Sequence, residues 1–262
     1  MKLNISGVEL AYEVHGRAGP WVTFSHSLGC TRHMWERQIA TLSANYRVLA
    51  YDLRGHGESS SDASPGSLAL LASDLLALLD HLDIGSSHLI GISVGGMIGQ
   101  TLAIEAPDRV ESLVLANTTA YMPPLAVEMW GERIQLAKDR GVGSLALPSM
   151  ERWFPQAFRE ANPDVIKRMA KDFAATSLQG YITCSQAIMG LDTREALAKI
   201  QCPTLIVGGT EDPGAPVEAL RQMHHQIRGS ELLILDGAGH LSNVEKPTEF
   251  SAEVTRHLLY CT

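Results

Sequence analysis

The sequence has few cysteines, and their arrangement supports neither a disulfide framework nor a metal site. The four cysteines, Cys30, Cys184, Cys202 and Cys261, are spread along the chain without a C-x-x-C pair. Structural zinc sites and thioredoxin-type redox sites need thiolates at short spacing. We therefore expect reduced, buried thiols that act as small apolar side chains, and neither a metal nor another cofactor.

Long apolar runs and clusters of positive charge are also absent from the sequence. No apolar run reaches the roughly 18 residues of a membrane-spanning helix, and residues 1–7 lack the apolar segment of a secretion signal. The 21 Lys and Arg residues against 29 Asp and Glu give a net charge of −8. This balance disfavours nucleic acid and anionic membranes as partners. The sequence predicts a cytoplasmic protein.

The chain does contain enough apolar residues, 45% of 262, to bury one or two domains. Short apolar runs alternate with helical periodicity, which predicts parallel strands joined by helices. The predicted strands cover residues 8–14, 21–24, 47–51, 89–92, 110–116, 204–208 and 231–235. The predicted helices cover residues 35–42, 67–82, 95–105, 125–140, 163–175, 181–189 and 248–259.

The middle of the chain differs from both ends because no strand-like run interrupts it. Helical periods dominate from about residue 121 to 200, and Pro123-Pro124 and Pro203 mark the two limits of this stretch. We predict an α/β core formed by residues 1–120 and 196–262, with residues 121–195 inserted as a helical cap.

The strongest local signal for chemistry is the G-x-S-x-G motif at residues 91–95. An apolar strand precedes the motif and a glycine-rich helix follows it. A sharp turn in that setting exposes the serine hydroxyl at the carboxyl edge of a sheet. The Val94 N–H would lie at a helix N-terminus, where negative charge is favoured. We predict Ser93 as a nucleophile; an ordinary helix N-cap serine is the alternative.

A serine hydroxyl needs a base to accept its proton, and the chain offers ten histidines. His240 follows the last predicted strand in a glycine-rich run, at the sheet edge where Ser93 would lie. His26 and His56 also follow strands and are its competitors. His26 adjoins a predicted oxyanion loop, and glycines flank His56. We predict His240 as the base.

A carboxylate must orient the imidazole and stabilise its charged form. Asp212 follows a predicted strand and is the candidate; Glu211, one residue earlier, and Asp52, after an earlier strand, are the alternatives. With Asp212, the chain order is serine, aspartate, histidine. That order is typical of the α/β-hydrolase fold.

Acyl transfer also needs two N–H donors for the tetrahedral oxyanion. Val94 is one candidate donor, and the loop at residues 25–29 should supply the other. By its position in that loop the Leu28 N–H is favoured, with Ser27 as the alternative. Gly29 would permit the tight turn. A plain turn without a catalytic part is the other interpretation of this loop.

These residues resemble a known family over nearly the whole chain. The chain resembles an α/β-hydrolase, with a mostly parallel sheet flanked by helices and a helical cap, and several stretches are similar to 3-oxoadipate enol-lactonases of the β-ketoadipate pathway. The similar stretches are residues 27–29, 34–35, 91–100, 115–118, 129–130, 133–134, 151–154, 180–181 and 240–247. Two positions depart from the family: His26 stands where Asn is often found, and Val94 where Met is expected.

The resemblance implies a serine hydrolase that cleaves a small lactone or carboxylic ester through an acyl-enzyme, with 3-oxoadipate enol-lactone as its substrate. Trp130 and Trp153 of the predicted cap are candidates to line the pocket. Arg133 is a candidate partner for a substrate carboxylate. The alternatives are that the tryptophans only pack the cap against the sheet and that Arg133 is solvated.

Other activities would use the same three residues. A broad carboxylesterase, an acyl-homoserine or other small-molecule lactonase, and a cofactor-free perhydrolase are the alternatives. A binding protein without activity would more often have an altered triad. A metal-dependent hydrolase is disfavoured because the chain has no H-E-x-x-H motif. The expected partner is a small molecule, and a homo-oligomer is compatible with the sequence.

Overall fold

The computed structural model describes residues 1–261, which are organised around one eight-stranded sheet. Its strand order is β1-β2-β4-β3-β5-β6-β7-β8, and all neighbours are parallel except the pairs β1–β2 and β2–β4. The strands are β1 (Lys2–Ile5), β2 (Val8–His15), β3 (Trp21–Ser25), β4 (Arg47–Tyr51), β5 (Ser87–Ile92), β6 (Val110–Ala116), β7 (Thr204–Gly209) and β8 (Glu231–Leu235). The predicted mostly parallel sheet is therefore confirmed.

Helices cover the sheet and fill the stretch between β6 and β7. The α-helices are α1 (Glu36–Leu42), α2 (Leu68–His81), α3 (Val94–Glu105), α4 (Pro124–Arg140), α5 (Ala146–Trp153), α6 (Gln156–Ala161), α7 (Pro163–Ala175), α8 (Leu178–Met189), α9 (Val217–Gln226), α10 (Ser242–Glu245) and α11 (Pro247–Tyr260). Helices α4 to α8 follow β6 and precede β7. We retain residues 121–195 as the proposed cap.

Local sequence explains most of these elements. The central strands β5 and β6 are apolar and almost wholly buried, as expected for parallel strands covered on both faces. Helix α2 begins after Ser67, whose hydroxyl accepts the Leu70 N–H at 3.1 Å. Helices α7 and α11 each begin with a proline, which the first helical turn tolerates.

The sequence predictions did not include β1, α5, α6, α9 or α10, and several predicted boundaries are shifted by a few residues. Strand β1 is short and only half buried, so its apolar pattern is weak. Pro148 lies in the first turn of α5 and Pro155 directly precedes α6, and these prolines disturb the helical period that the other cap helices present. The helix predicted from residue 35 begins at Glu36, because residues 32–35 form a separate 3-10 turn.

The two connections between the sheet and the proposed cap pair with each other. Tyr121 forms an isolated antiparallel bridge with Asp192. The Thr193 N–H donates to the Ala120 carbonyl at 2.8 Å. The chain therefore leaves the sheet and rejoins it at one place, which fixes the base of the inserted helices relative to the carboxyl edge of the sheet.

The cysteines are all free, but they differ in burial from the prediction. Cys30 and Cys184 are buried, whereas Cys202 and Cys261 are half-buried near the surface. The expectation of four buried thiols is thus wrong for the last two, which lie just before β7 and just after α11. Within residues 1–261, no helix combines the length and apolar content needed to cross a membrane.

Candidate active site

Ser93 lies in a strained turn between β5 and α3. Its backbone has φ +56° and ψ −121°, a region that residues with a side chain rarely adopt and that costs on the order of 1–3 kcal/mol. A Cβ atom on Gly91 would lie 2.2 Å from the Gly95 carbonyl oxygen, and one on Gly95 would lie 2.1 Å from the Ser25 carbonyl oxygen. Both glycines of the motif are therefore required by close backbone contacts.

The structure brings Ser93, His240 and Asp212 together in one hydrogen-bonded line. The Ser93 Oγ lies 3.0 Å from His240 Nε2, and His240 Nδ1 lies 2.9 and 3.0 Å from the two Asp212 carboxylate oxygens. All three residues are more than 90% buried. The carboxylate can therefore hold the imidazole with Nε2 directed at the serine hydroxyl, which is the geometry of nucleophile activation.

Further contacts keep the Asp212 carboxyl ionised. Asn117 Nδ2 donates to one carboxylate oxygen at 3.0 Å, and the Gly214 N–H donates to the other at 2.7 Å. Burial alone raises the pKa of Asp212, but His240 and these donors outweigh burial, so the pKa lies below its ordinary value. Asp212 is an anion at neutral pH.

Asn117 is a site residue that the sequence predictions missed. It follows β6 directly, has φ +44°, and is fully buried. Its amide also donates to the Gly239 carbonyl at 2.9 Å, so it joins the Asp212 and His240 loops. The available signal was its position after a strand, together with its place in the stretch at residues 115–118 that resembles the enol-lactonases.

The competing carboxylates occupy other environments. Asp52 forms a buried ion pair with Arg32 and also accepts the Glu58 N–H at 3.0 Å. Glu211 is exposed and has no side-chain hydrogen bond within residues 1–261. Only Asp212 among the three candidates contacts His240.

The competing histidines are held as neutral structural groups. His56 is fully buried, its Nδ1 bonds to the Arg54 carbonyl at 3.0 Å, and burial lowers its pKa to about 3. His26 accepts the Leu53 N–H on Nε2 at 2.8 Å, which requires the proton on Nδ1. Burial also lowers the pKa of His26. Neither ring is directed at Ser93 in the way that His240 is.

The loop after β3 presents a free N–H group at the site. The Ser27 carbonyl accepts hydrogen bonds from His26 Nδ1 at 2.8 Å and from the Cys30 N–H at 3.0 Å. A planar trans peptide points its N–H away from its carbonyl, so the Leu28 N–H faces the opposite side of this loop. It has no hydrogen-bond partner within residues 1–261, and Leu28 lines the central cavity. His26 thus orients the peptide that carries the candidate oxyanion donor.

A cavity of about 430 Å³ lies over Ser93 and His240, between the sheet edge and the inserted helices. This volume is within the range of small-molecule sites. The predicted residues Trp130, Arg133 and Trp153 all line it. Within the described residues, no three His, Cys, Asp or Glu side chains cluster as metal ligands would.

Two arginines in the cavity wall form no salt bridge within residues 1–261. Arg133 donates to Ser149 Oγ at 2.8 Å and to the Tyr181 hydroxyl at 3.2 Å, and its guanidinium lies 5.5 Å from the centre of the Trp130 ring. Arg152, which the sequence predictions missed, also lines the cavity. Desolvation lowers the pKa of Arg152, and the charge of Arg133 lowers it further; the negative charge of Asp212 acts in the opposite direction but does not outweigh them.

Trp153 connects the inserted helices directly to the candidate base. Its carbonyl accepts the His240 N–H at 2.7 Å. Its indole ring lies 6.1 Å from the His240 ring and 5.5 Å from the Phe173 ring, measured between ring centres. The end of α5 therefore covers the histidine on the side facing the cavity.

A parallel sheet with a serine turn, a post-strand aspartate and a loop histidine at one edge defines a known class. A family model described as alpha/beta hydrolase fold matches residues 14–247, and the chain belongs to that family.

Within that class the most similar proteins include enol-lactonases. The chain is 38% identical to 3-oxoadipate enol-lactonase 2 of Acinetobacter baylyi over 253 residues, or 96% of this chain and 94% of the relative. Two solved structures are also similar. One is a hydrolase from Pseudomonas aeruginosa, with TM-score 0.94, 39% identity and coverage of 98% and 97% of the two chains. The other is an enol-lactonase from Burkholderia xenovorans, with TM-score 0.95, 34% identity and coverage of 99% and 100%. The resemblance predicted from the sequence is confirmed.

Proposed function

We propose that this chain is a serine hydrolase that opens small lactones through an acyl-enzyme, and that 3-oxoadipate enol-lactone is its substrate. The observation that carries the proposal is the continuous hydrogen-bonded line Ser93–His240–Asp212 beneath a cavity wall with two arginines that form no salt bridge within residues 1–261. The first feature supplies acyl-transfer chemistry. The second favours a substrate with a negative charge, as an enol-lactone with a free carboxylate would have.

Acylation begins when His240 accepts the Ser93 proton as the serine oxygen attacks the lactone carbonyl carbon. The negative charge that develops on the carbonyl oxygen is stabilised by the N–H groups of Leu28 and Val94. The carbon–oxygen bond of the ring then breaks, and His240 gives its proton to the departing enol oxygen. The enol becomes a ketone, and the opened chain stays bound to Ser93 as an ester.

Deacylation repeats these roles with water as the nucleophile. His240 accepts a proton from the water as it attacks the acyl-enzyme carbonyl, and the same two N–H groups hold the second oxyanion. His240 then protonates Ser93 Oγ, which leaves, and a carboxylic acid is released. Asp212 stays ionised throughout and stabilises the imidazolium form of His240.

The cap arginines provide the basis for substrate recognition in this proposal. Arg133 is oriented by Ser149 and Tyr181 through two neutral hydrogen bonds, which leave its positive charge uncompensated. Arg152 adds a second positive charge in the same wall. A guanidinium pairs well with a carboxylate because its N–H groups match the spacing of the two oxygens. We assign the carboxylate of the lactone to these two residues.

A carboxylesterase is the second candidate, and one feature of the cavity favours it. The lining of the cavity also includes the apolar residues Leu197, Ala219 and Met223. An ester with an alkyl group could bury that group against these apolar side chains.

The test compares hydrolysis of 3-oxoadipate enol-lactone with that of p-nitrophenyl acetate and p-nitrophenyl butyrate. The expected result is a kcat/KM for the enol-lactone far above that of either ester, abolished in Ser93→Ala. A serine-directed fluorophosphonate probe should label the wild-type protein and leave Ser93→Ala unlabelled.

Each contrary result has a separate meaning. Turnover that persists in Ser93→Ala would contradict the serine mechanism. Rapid ester hydrolysis with a poor enol-lactone rate would contradict the assigned substrate and support the carboxylesterase, which should then prefer the butyrate. Absence of labelling and of hydrolysis in the wild-type protein would indicate a binding protein.

A further inference from the structure

The loop that carries His240 has three successive backbone N–H groups, and each is held by a specific acceptor. The Gly239 N–H donates to Glu245 Oε2 at 2.9 Å, and the Leu241 N–H donates to Glu245 Oε1 at 3.2 Å. Between them, the His240 N–H donates to the Trp153 carbonyl at 2.7 Å. The Glu245 carboxylate therefore accepts hydrogen bonds from the backbone on both sides of His240.

Glu245 reaches this position because the chain turns back on itself immediately after the loop. Residues 242–245 form the short helix α10, in which the Glu245 N–H donates to the Leu241 carbonyl at 3.0 Å. This turn returns the Glu245 side chain to the loop from which the helix began. The carboxylate satisfies two donors that belong to no helix or strand and would otherwise be unpaired in a mostly buried region.

The carbonyl side of the same loop is held as well. Asn117 Nδ2 donates to the Gly239 carbonyl, and the Ser242 hydroxyl donates to Asn117 Oδ1 at 2.5 Å. Asn117 has an amide that does not titrate, whereas Glu245 is the stronger acceptor when its carboxylate is ionised, and a proton on either oxygen weakens that oxygen as an acceptor. Replacing one carboxylate oxygen of Glu245 would therefore remove one of the two hydrogen bonds that hold the histidine loop.

We propose that Glu245 is a positioning residue for the reaction, which directs the His240 imidazole at Ser93 by fixing the peptide groups on both sides of it. The inference rests on the proposed function, since it assigns to Glu245 an effect on the base of that reaction. Glu245 touches neither Ser93 nor the cavity, so it acts only through the histidine loop.

Electrostatics gives this arrangement a second observable. Burial raises the pKa of Glu245 to about 7, although the two N–H groups and His240 favour the ionised form; Asp212 acts in the same direction as burial. Protonation puts a hydrogen on one oxygen, which then no longer accepts a hydrogen bond in the same geometry. The two amides should therefore report on the ionisation of Glu245.

The kinetic test uses Glu245→Gln, which replaces one acceptor oxygen by a donor NH₂ group at nearly constant size. We expect kcat for p-nitrophenyl acetate to fall about tenfold, with KM unchanged within about twofold. Glu249→Gln is the matched control, because Glu249 is exposed one helical turn further on and has no hydrogen bond or ion pair within residues 1–261. An unchanged kcat would overturn the proposal. A lower kcat accompanied by a changed KM and a lower thermal stability would overturn it as well.

Amide NMR on the wild-type protein tests the contact without any variant and without turnover. The Gly239 and Leu241 N–H resonances should shift together with pH, with one midpoint near that of the Glu245 carboxyl. Separate titrations, or none, would overturn the proposal even if Glu245→Gln fails to fold. If Ser93→Ala retained activity, the proposed mechanism would fail while this NMR result would stand, so the two failures are distinguishable.

Discussion

The two walls of the central cavity are built in opposite ways. On the sheet side, hydrogen bonds link Ser93, His240, Asp212 and Asn117, and the negative charge of Asp212 lies against the His240 ring and the Asn117 amide. On the cap side, Arg133 and Arg152 form no salt bridge within the described chain, and the Asp212 charge acts on Arg152 only from across the cavity wall. In the proposed function, the hydrogen bonds of the sheet side are formed before substrate binds, and a substrate carboxylate would pair with the arginines of the cap side.

From this difference we expect the sheet side to act in the chemical step and the cap side to act in substrate recognition. A site that is already ordered pays little reorganisation when charge develops in the transition state. A site with unpaired charge gains its interaction when the substrate binds. Changes on the sheet side should therefore lower kcat, and changes on the cap side should raise KM for anionic substrates while sparing neutral ones.

The largest effect is expected at Asp212. In Asp212→Asn the amide no longer selects the His240 tautomer with a free Nε2, so kcat should fall by about 10⁴. The change is measured as kcat for enol-lactone and p-nitrophenyl acetate, and both should fall equally. Glu211→Gln is the control, because Glu211 is adjacent and exposed. A large loss in Glu211→Gln instead would assign the carboxylate role to that residue.

The next effect is expected at the cap arginines. The double variant Arg133→Gln, Arg152→Gln should raise KM for 3-oxoadipate enol-lactone about a hundredfold, because hydrogen bonds to a charged group contribute about 1.5–3 kcal/mol. KM for neutral p-nitrophenyl acetate should stay within about twofold. Arg140→Gln, at an exposed arginine near the end of α4, is the control for lost positive charge. Equal increases in KM for both substrates would remove the distinction between the two walls.

A smaller effect concerns stability on the sheet side. The pKa of Glu245 rises from 4.5 to about 7 in the fold, so the folded protein binds a proton more tightly than the unfolded chain. Its contribution to the free energy of unfolding should therefore fall by about 2 kcal/mol as pH rises from about 4.5 to 7. Urea unfolding of the wild-type protein and Glu245→Gln at pH 5 and pH 7.5 measures it. A decrease of the same size in the variant would contradict the assignment.

The smallest effect is expected where the two walls meet. A Cβ atom on Gly239 would lie 2.3 Å from the Trp153 carbonyl oxygen. Gly239→Ala should therefore displace that carbonyl from the His240 N–H and lower kcat about fivefold, roughly the value of one weakened hydrogen bond. Gly85→Ala, at a position with no atom within 4 Å of the added methyl, is the control. An unchanged kcat in Gly239→Ala would mean that the contact is dispensable for the reaction.

The residues of the sheet wall were more predictable than those of the cap wall because each can be placed from the strand that precedes it. Ser93, Asp212 and His240 each follow a strand, and parallel strands bring their carboxyl ends to one edge, so their meeting follows from order along the chain. His26 illustrates the limit of that reasoning. It also follows a strand, and only the hydrogen bonds to Ser27 and Leu53 show that its ring serves the backbone.

The cap contacts depend on how helices pack, which no periodicity specifies. Trp130 and Arg133 were predicted through a family resemblance, whereas Arg152 was overlooked although it lies in one of the stretches that carried it. Its role depends on α5 lying over the cavity, and Pro148 had obscured α5 itself. Glu245 was missed for a related reason, since its value lies in a turn that brings it back to residues 239 and 241.

Because of the hydrogen bond between the His240 N–H and the Trp153 carbonyl, substrate exchange and the chemical step would take place at different times. Helix α5 ends at Trp153, so any outward swing of this helix removes the acceptor from the histidine backbone. A wide opening at that side would leave the His240 backbone less well held at the same time as water enters the cavity. No turnover would take place while α5 is displaced, and an acyl-enzyme would be hydrolysed only after the helix returns.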